Sequence, residues 1–315
     1  MSHKSIDHAF TAAQMLGAAT DPTYAGALSF MRRRFTKDSA GADVTVWGIP
    51  FDASVSNRPG TRFGPQALRR ASAIFDNDPQ YPFHADLFET LSVVDHGDCI
   101  LDYRLPETAH EAMRAQASAI LGQTGFLLTL GGDHSVTYPL LQAHTERHGR
   151  LSLVHFDAHQ DTWPLAEGPD GGMRVDHGSF VSAAVREELI DPATSIQIGI
   201  RTHAPETLGI EILHGNEVED LTSVEIAKRI YERTGGTNCY LTFDIDCLDV
   251  AFAPGTGTPV AGGPSSAKML AVLHHLKNLQ IVGADLVEVS PPYDHADMTA
   301  VAGSAVAMYV LGILA

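Results

Sequence analysis

LSLVHFDAHQD, residues 151 to 161, divides into two halves of opposite character. Leu151 to Phe156 is a short apolar run, which reads as a buried strand. From Asp157 onward the chain turns polar, with Asp157, His159 and Asp161 at alternate positions. In an extended chain, residues two apart point the same way, so these three side chains are expected to project together from the strand end.

Working outward, similar runs occur at Val44 to Ile49, Leu91 to Val94, Phe126 to Leu130, Ile196 to Ile200, Tyr240 to Ile245 and Ile281 to Val289. Helical patterns lie between them. They are signalled by Pro65 at a first helical position, Pro106 before Glu107 to Leu121, Ser223 before Val224 to Glu232, and Ser265 before Ala267 to Leu276. Strands alternating with helices predict an open parallel sheet covered on both faces. Ligands bind such sheets at the carboxyl ends of the strands.

Two more polar segments fall at strand ends: Gly131-Gly132-Asp133-His134 after Phe126 to Leu130, and Asp244-Ile245-Asp246 closing Tyr240 to Ile245. Singly, each has a bland reading. Asp-x-Asp at a strand end is often a loop-capping pair, and Asp133 could serve near the N-cap of a helix from Ser135. Together they crowd four Asp and two His around one apolar strand end, and buried charges of one sign need positive compensation. A pair of dications supplies it. The oxygen-rich donors favour Mn²⁺ over the thiolate or mostly imidazole sites of Zn²⁺, although Fe²⁺ and Co²⁺ suit the same ligand types. A two-metal phosphoesterase would share the metal spacing but needs Arg or Lys clamps for phosphoryl oxygens, and the motifs carry none clustered there.

Composition narrows the partners. The 315-residue chain is 44% apolar, with a formal charge of −17. Excess carboxylate argues against nucleic acid and favours a small cationic ligand. The N-terminus has no secretory pattern, and Arg32, Arg33 and Arg34 are expected to be solvated surface. Thr299 to Ala315 is apolar but barely of spanning length and lacks a basic flank, so it reads as a buried final helix rather than a membrane span. Cys99, Cys239 and Cys247 are odd in number and form no C-x-x-C, which fits buried thiols in a reducing, cytoplasmic setting. Trp163 to Asp176, with Gly168, Pro169, Gly171 and Gly172, reads as a flexible surface loop. No linker divides the chain. Residues 43–315 are expected to form one catalytic domain, and residues 1–42 an N-terminal extension packed on the domain or on an oligomer.

The motifs GGDHS (131–135), HFDAHQD (155–161) and FDIDCLDVAFAPGTGTP (243–259) resemble those of the ureohydrolase (arginase/agmatinase) family, as do PFDASVSNRPGTRFGPQALR (50–69), DHGS (176–179), GIR (199–201) and VEVSPPYD (287–294). The resemblance implies a three-layer α/β/α sandwich around a mainly parallel sheet, and assembly as a homotrimer or homohexamer. It implies two Mn²⁺ per subunit: one held by His134, Asp157, Asp161 and Asp244, the other by His159, Asp157, Asp244 and Asp246. Two metals can hold a bridging water and bring its pKa from about 15.7 towards 7, giving hydroxide to attack a guanidinium carbon.

In the same resemblance Asp161 relays the proton, and His177 is the proton shuttle, its type suited by a reference pKa of about 6.5. Glu288 pairs with the guanidinium through two parallel hydrogen bonds, and Asp285 in the same strand receives no role. Thr202 after GIR and the VVDHGD segment lean towards the agmatinase branch, with agmatine giving putrescine and urea. A guanidino acid such as 4-guanidinobutyrate is the alternative substrate, with Arg174 of the long loop as its carboxylate partner. A non-catalytic relative would have lost a ligand, and all are present. Val250 stands where Pro is often found after the DIDxxD segment, a change that leaves Asp244 and Asp246 in place.

Overall fold

A computed structural model describes residues 23–75, 79–168 and 171–315. Its strands are Arg34–Phe35 (β1), Val44–Gly48 (β2), Val93–Asp98 (β3), Phe126–Leu130 (β4), Ser152–Phe156 (β5), Ala166–Glu167 (β6), Met173–Arg174 (β7), Ile196–Ile200 (β8), Glu211–His214 (β9), Cys239–Asp244 (β10) and Ile281–Val287 (β11). The helices are Gly64–Ser72 (α1), Ala109–Leu121 (α2), Thr137–His148 (α3), Phe180–Arg186 (α4), Gly215–Asp220 (α5), Ser223–Thr234 (α6), Ser266–His274 (α7) and Met298–Leu314 (α8). Nine strands form one sheet in the order β1-β3-β2-β4-β11-β10-β5-β8-β9, every pair parallel.

Helices cover both faces, so the central strands are buried on both sides and read as apolar runs. Alternation along each strand sorts side chains between two cores. Leu128, Val154, Phe156, Leu241 and Phe243 face α1, α6, α7 and α8. Leu127, Leu153 and Tyr240 face α2, α3 and α4. The result is a three-layer α/β/α sandwich around a parallel sheet. Each buried Leu or Phe side chain contributes about 1.5–3 kcal/mol relative to exposure.

The topology also builds the site. The chain passes from β4 to β5 leaving a gap of two strands, which β11 and β10 fill later. The four strands that end in the polar motifs are thereby neighbours.

Several expectations are corrected. Arg32 and Arg33 are 1% and 0% exposed rather than solvated. Arg33 lies over the Phe88 ring at 3.8 Å, and its Nε donates to the Met31 carbonyl at 2.9 Å. Aromatic stacking and backbone acceptors are what make a buried guanidinium tolerable. The long loop carries the antiparallel hairpin β6-β7 instead of being wholly irregular. Thr222, not Ser223, caps α6, its hydroxyl accepting from Glu225 N in a capping box.

Strands β1 and β9 went unpredicted, the first because two residues carry no period, the second because only Leu213 among its four residues is buried. The proposed N-terminal extension falls partly on residues 1–22, outside the described residues; within its remainder, Phe30 and Met31 are core residues and β1 joins the sheet. The final helix α8 is mostly buried, and among the described residues no helix is long and apolar enough to cross a membrane. All three cysteines are buried and free.

Candidate metal centre

The register sets the centre of the site. Phe243 of β10 pairs with Phe156 of β5, so Asp244 and Asp157 are the next residues out on adjacent strands. Beyond them the chain leaves the extended conformation. Asp161 adopts φ 51, and Ile245–Cys247 forms a 3-10 turn in which the Asp244 side chain accepts from Asp246 N. The expected convergence of Asp157, His159 and Asp161, and of Asp244 with Asp246, is therefore present, but tight bends produce it rather than strand alternation.

After β4, Gly131 and Gly132 are obligatory. A Cβ on Gly131 would stand 2.5 Å from Val287 Cγ1, and one on Gly132 would run into the Phe51 carbonyl. Asp133 then caps the turn, accepting from Ser135 N at 3.0 Å, and the turn delivers His134. Capping and site-building are served by neighbouring residues of one motif.

Two sets of donors result. His134 Nδ1 lies 3.0 Å from Asp157 Oδ2, 3.1 Å from Asp161 Oδ2 and 3.2 Å from Asp244 Oδ2. His159 Nδ1 lies 3.3 Å from Asp157 Oδ1 and 3.1 Å from Asp246 Oδ2. Asp157 thus presents one oxygen to each set. Asp244 gives its Oδ1 to Asp246 N at 2.8 Å, leaving Oδ2 for the centre.

The far side of His134 fixes its tautomer. Nε2 meets Thr242 Oγ1 at 2.8 Å, and that hydroxyl donates to Asp285 Oδ1 at 2.5 Å. Nε2 must then carry the proton, and Nδ1 turns a lone pair towards three carboxylate oxygens. That buried nitrogen has no hydrogen-bond donor to satisfy it. A lone pair facing carboxylates is repulsive unless a cation sits between them, so the donors fit a metal ion.

Electrostatics point the same way. Burial and mutual repulsion push the Asp161, Asp244 and Asp246 carboxyls up. Against burial, which opposes its charged form, His159 is pushed up to about 12 by Asp246 and Asp157. His134 also rises, through its three carboxylates. Protons gather where no other positive charge is supplied.

His177 and Glu288 lie beside this centre. His177 Nδ1 is 3.2 Å from Glu288 Oε1, and its Nε2 accepts from Ser56 N at 3.0 Å. Burial alone would lower the His177 pKa, but the Glu288 hydrogen bond and charge outweigh it and push it up to about 9. Glu288 does not end the strand as expected. Strand β11 stops at Val287, and Glu288 has φ 63, a left-handed conformation that is strained for a residue with a side chain. Its Oε1 also accepts from His134 N at 3.0 Å, while the buried Oε2 has no partner.

A cavity of about 370 Å³ opens over the donors, lined by His134, His159, Asp161, Asp244 and His177 with Ser56, Trp163, Asp176, Gly178 and Thr258. Arg174 lines a separate cavity that shares only Asp176. Thr202 donates to the Ala158 carbonyl at 3.0 Å and does not line the main cavity. A larger cavity of about 490 Å³ between α7 and α8 is apolar and holds no donor cluster.

Sequence reasoning gave no role to Asp285 and missed His155, Gln197 and Thr242. His155 Nε2 is 2.7 Å from Asp157 Oδ2. Asp285 accepts from Thr137, Tyr240 and Thr242 and so anchors the His134 contact. A signal existed: each is a polar residue inside an otherwise apolar strand.

A parallel α/β/α sandwich with two clusters of His and Asp donors at its central strand ends is the build of a protein able to hold metal ions. A sequence profile of the arginase family matches residues 42–312. The agmatinase of Chromobacterium violaceum is 47% identical over 306 residues, which cover 95% of this chain and 92% of its own. The crystal structure of a hypothetical agmatinase from Burkholderia thailandensis superposes with a TM-score of 0.94 at 46% identity, covering 98% of this chain and 96% of that one. The proclavaminate amidino hydrolase of Streptomyces clavuligerus gives 0.87 at 38% identity, covering 93% and 98%. The chain belongs to the arginase family. Within it, the protein is an agmatinase-type ureohydrolase.

Proposed function

We propose that the protein hydrolyses agmatine to putrescine and urea with two Mn²⁺ per subunit. The lining of the main cavity carries the substrate reading: among the described residues it includes no Lys or Arg, and it offers the Asp176 carboxylate and the half-exposed Trp163 ring. A substrate ending in a carboxylate would find no cation there, whereas an ammonium finds both a carboxylate and an aromatic face. Agmatinase relatives at 41–47% identity support the same choice.

His134, Asp157, Asp161 and Asp244 would hold one ion, and His159, Asp157, Asp244 and Asp246 the other. Oxygen-rich donors favour Mn²⁺. When bound, such a pair supplies the Lewis acidity that brings a coordinated water's pKa from about 15.7 to about 7. The chain's own groups do the rest. Asp161, at the cavity wall, accepts the proton of the attacking water and passes it to the leaving amine. Glu288 does not itself line the cavity, but its buried, unpartnered Oε2 would accept from the N–H groups of a guanidinium seated against it and set the carbon in place. His177, bridged to Glu288 and Ser56, exchanges protons between the cavity and solvent.

A guanidino acid is the second reading, favoured by Arg174 in the adjoining cavity and by the likeness to proclavaminate amidino hydrolase. A substrate long enough to pass Asp176 would bring its carboxylate there. Convergence of all six ligand candidates with His177 and Glu288 speaks against a non-catalytic subunit. The free buried thiols fit a cytoplasmic protein, and the family resemblance favours a homotrimer or homohexamer.

Urea release by Mn²⁺-loaded protein from agmatine, arginine, 4-guanidinobutyrate and 3-guanidinopropionate tests the proposal. Agmatine should give the highest kcat/KM. A preference for a guanidino acid would overturn the substrate assignment and move attention to Arg174, and no urea from any would overturn the reaction.

A further inference from the structure

One rung across the sheet is polar where its neighbours are apolar. Strand pairing aligns Thr129 of β4 with Asp285 of β11, Asp285 with Thr242 of β10, Thr242 with His155 of β5, and His155 with Gln197 of β8. All five are between 0% and 1% exposed. Paired residues in a sheet share a face, and residues two apart along a strand share it too. The rung therefore lies directly beneath Asp157 and Asp244, on the face covered by α2, α3 and α4. Burying five polar side chains side by side is costly unless their hydrogen bonds are met; Asp285, Thr242 and His155 are bonded, while Thr129 Oγ1 and Gln197 Oε1 have no partner.

At the β5 end the hydrogen bonds fix every proton. Gln197 Nε2 donates to the Gln160 carbonyl at 2.7 Å, an atom that can only accept, so this end of the amide is the NH₂ group. The same nitrogen lies 2.9 Å from His155 Nδ1. A donor there makes Nδ1 the acceptor, and the imidazole proton must sit on Nε2. His155 Nε2–H then donates to Asp157 Oδ2, the oxygen facing the His134 set. His155 and its neighbours His134, Asp157 and Asp161 have donor atoms close enough to share an ion, but neither His155 nitrogen has a lone pair to offer.

We infer that His155 and Gln197 are positioning residues for the centre: Gln197 sets the His155 tautomer, and His155 holds the Asp157 carboxylate with one oxygen turned to each donor set. The inference rests on the two-metal reading of the site. It assigns His155 to the support of a ligand rather than to the ligands themselves, and it makes β8, which contributes no ligand, part of the metal-binding apparatus.

Mn²⁺ affinity, measured by equilibrium dialysis with metal analysis, tests this apart from activity. His155→Phe keeps the packing against His134 and Phe180 and removes the donor, and should weaken Mn²⁺ binding about 10- to 100-fold. His155→Gln, which restores an N–H donor, should recover part of the loss. Gln197→Leu should weaken binding less, and most of its effect should vanish in the His155→Phe background, because it acts through His155.

Wild-type affinity in His155→Phe, or full additivity of the two changes, would overturn the inference. A fall from two ions to one, with the remaining ion bound normally, would instead make His155 a ligand and overturn it too. If His155→Phe fails to fold, the His155→Gln and Gln197→Leu comparison still decides, since unchanged Mn²⁺ affinity in Gln197→Leu contradicts the tautomer role. Wild-type protein that binds no Mn²⁺ would count against the two-metal reading itself, and the inference would fall with it.

Discussion

Two groups of aspartates, one on β3 and one at the ends of β5 and β10, are neutralised in opposite ways. On β3, Arg69 of α1 reaches the buried Asp95 with Nε at 2.8 Å and Nη2 at 3.0 Å, and the exposed Asp98 at the strand end with Nη1 at 2.6 Å. Arg69 is 5% and Asp95 0% exposed, so the chain carries its own cation into the interior. At the ends of β5 and β10, Asp157, Asp161, Asp244 and Asp246 are as deeply buried. Among the described residues, their ion-pair partners are imidazoles of His134, His155 and His159 and no Lys or Arg. A carboxylate at a strand end is thus no sign of a metal by itself. The sign is a carboxylate group whose countercharge the chain withholds.

The sharpest way to break this contrast is Asp157→Ala. Removing a residue shared by both donor sets should abolish stoichiometric metal and lower urea release by about a thousandfold or more; retained metal would show that the sets do not depend on it. Arg69→Met makes the complementary change. It leaves Asp95 buried without its cation and should cost about 3–5 kcal/mol of stability, visible in urea denaturation. Mn²⁺ should raise the wild-type melting temperature yet fail to restore what Arg69→Met loses. Restoration by Mn²⁺ would mean that the two clusters are not distinct.

A smaller effect concerns His177, whose pKa burial would lower but the Glu288 hydrogen bond and charge push up to about 9, against 6.5 for the free imidazole. A raised histidine pKa contributes stability that is fully present below about pH 6.5 and is lost as pH rises through about 9. Glu288→Gln should flatten that dependence and bring the imidazole titration, followed by NMR, down towards its ordinary value. An unchanged titration would remove Glu288 as the cause.

Much of this was legible in the sequence. Strands β4 and β8 were placed to the residue because they are short apolar runs bounded by turn signals, and the parallel sandwich follows from their alternation with helices. The six ligand candidates were legible as types at strand ends, and the structure brings them together. Their mutual geometry was not. It depends on Asp161 and Glu288 entering left-handed backbone and on the turn after Asp244, local departures from the strand period that no periodicity announces.

The layer beneath showed in the sequence only as polar residues inside apolar strands, and its role was illegible for another reason. His155, Thr242, Asp285 and Gln197 acquire meaning only through the cross-strand register that aligns them, and register between distant strands is a tertiary property. Arg32 and Arg33 failed in the reverse direction: a basic run that looked solvated is buried against Phe88 and backbone carbonyls.

The most direct test is an anomalous-difference map from crystals of the Mn²⁺-loaded protein. Two peaks are expected, one within bonding distance of His134 Nδ1 and the other of His159 Nδ1, with Asp157 touching both and His155 touching neither. A single peak, or an ion bound to His155, would contradict the proposed two-metal centre.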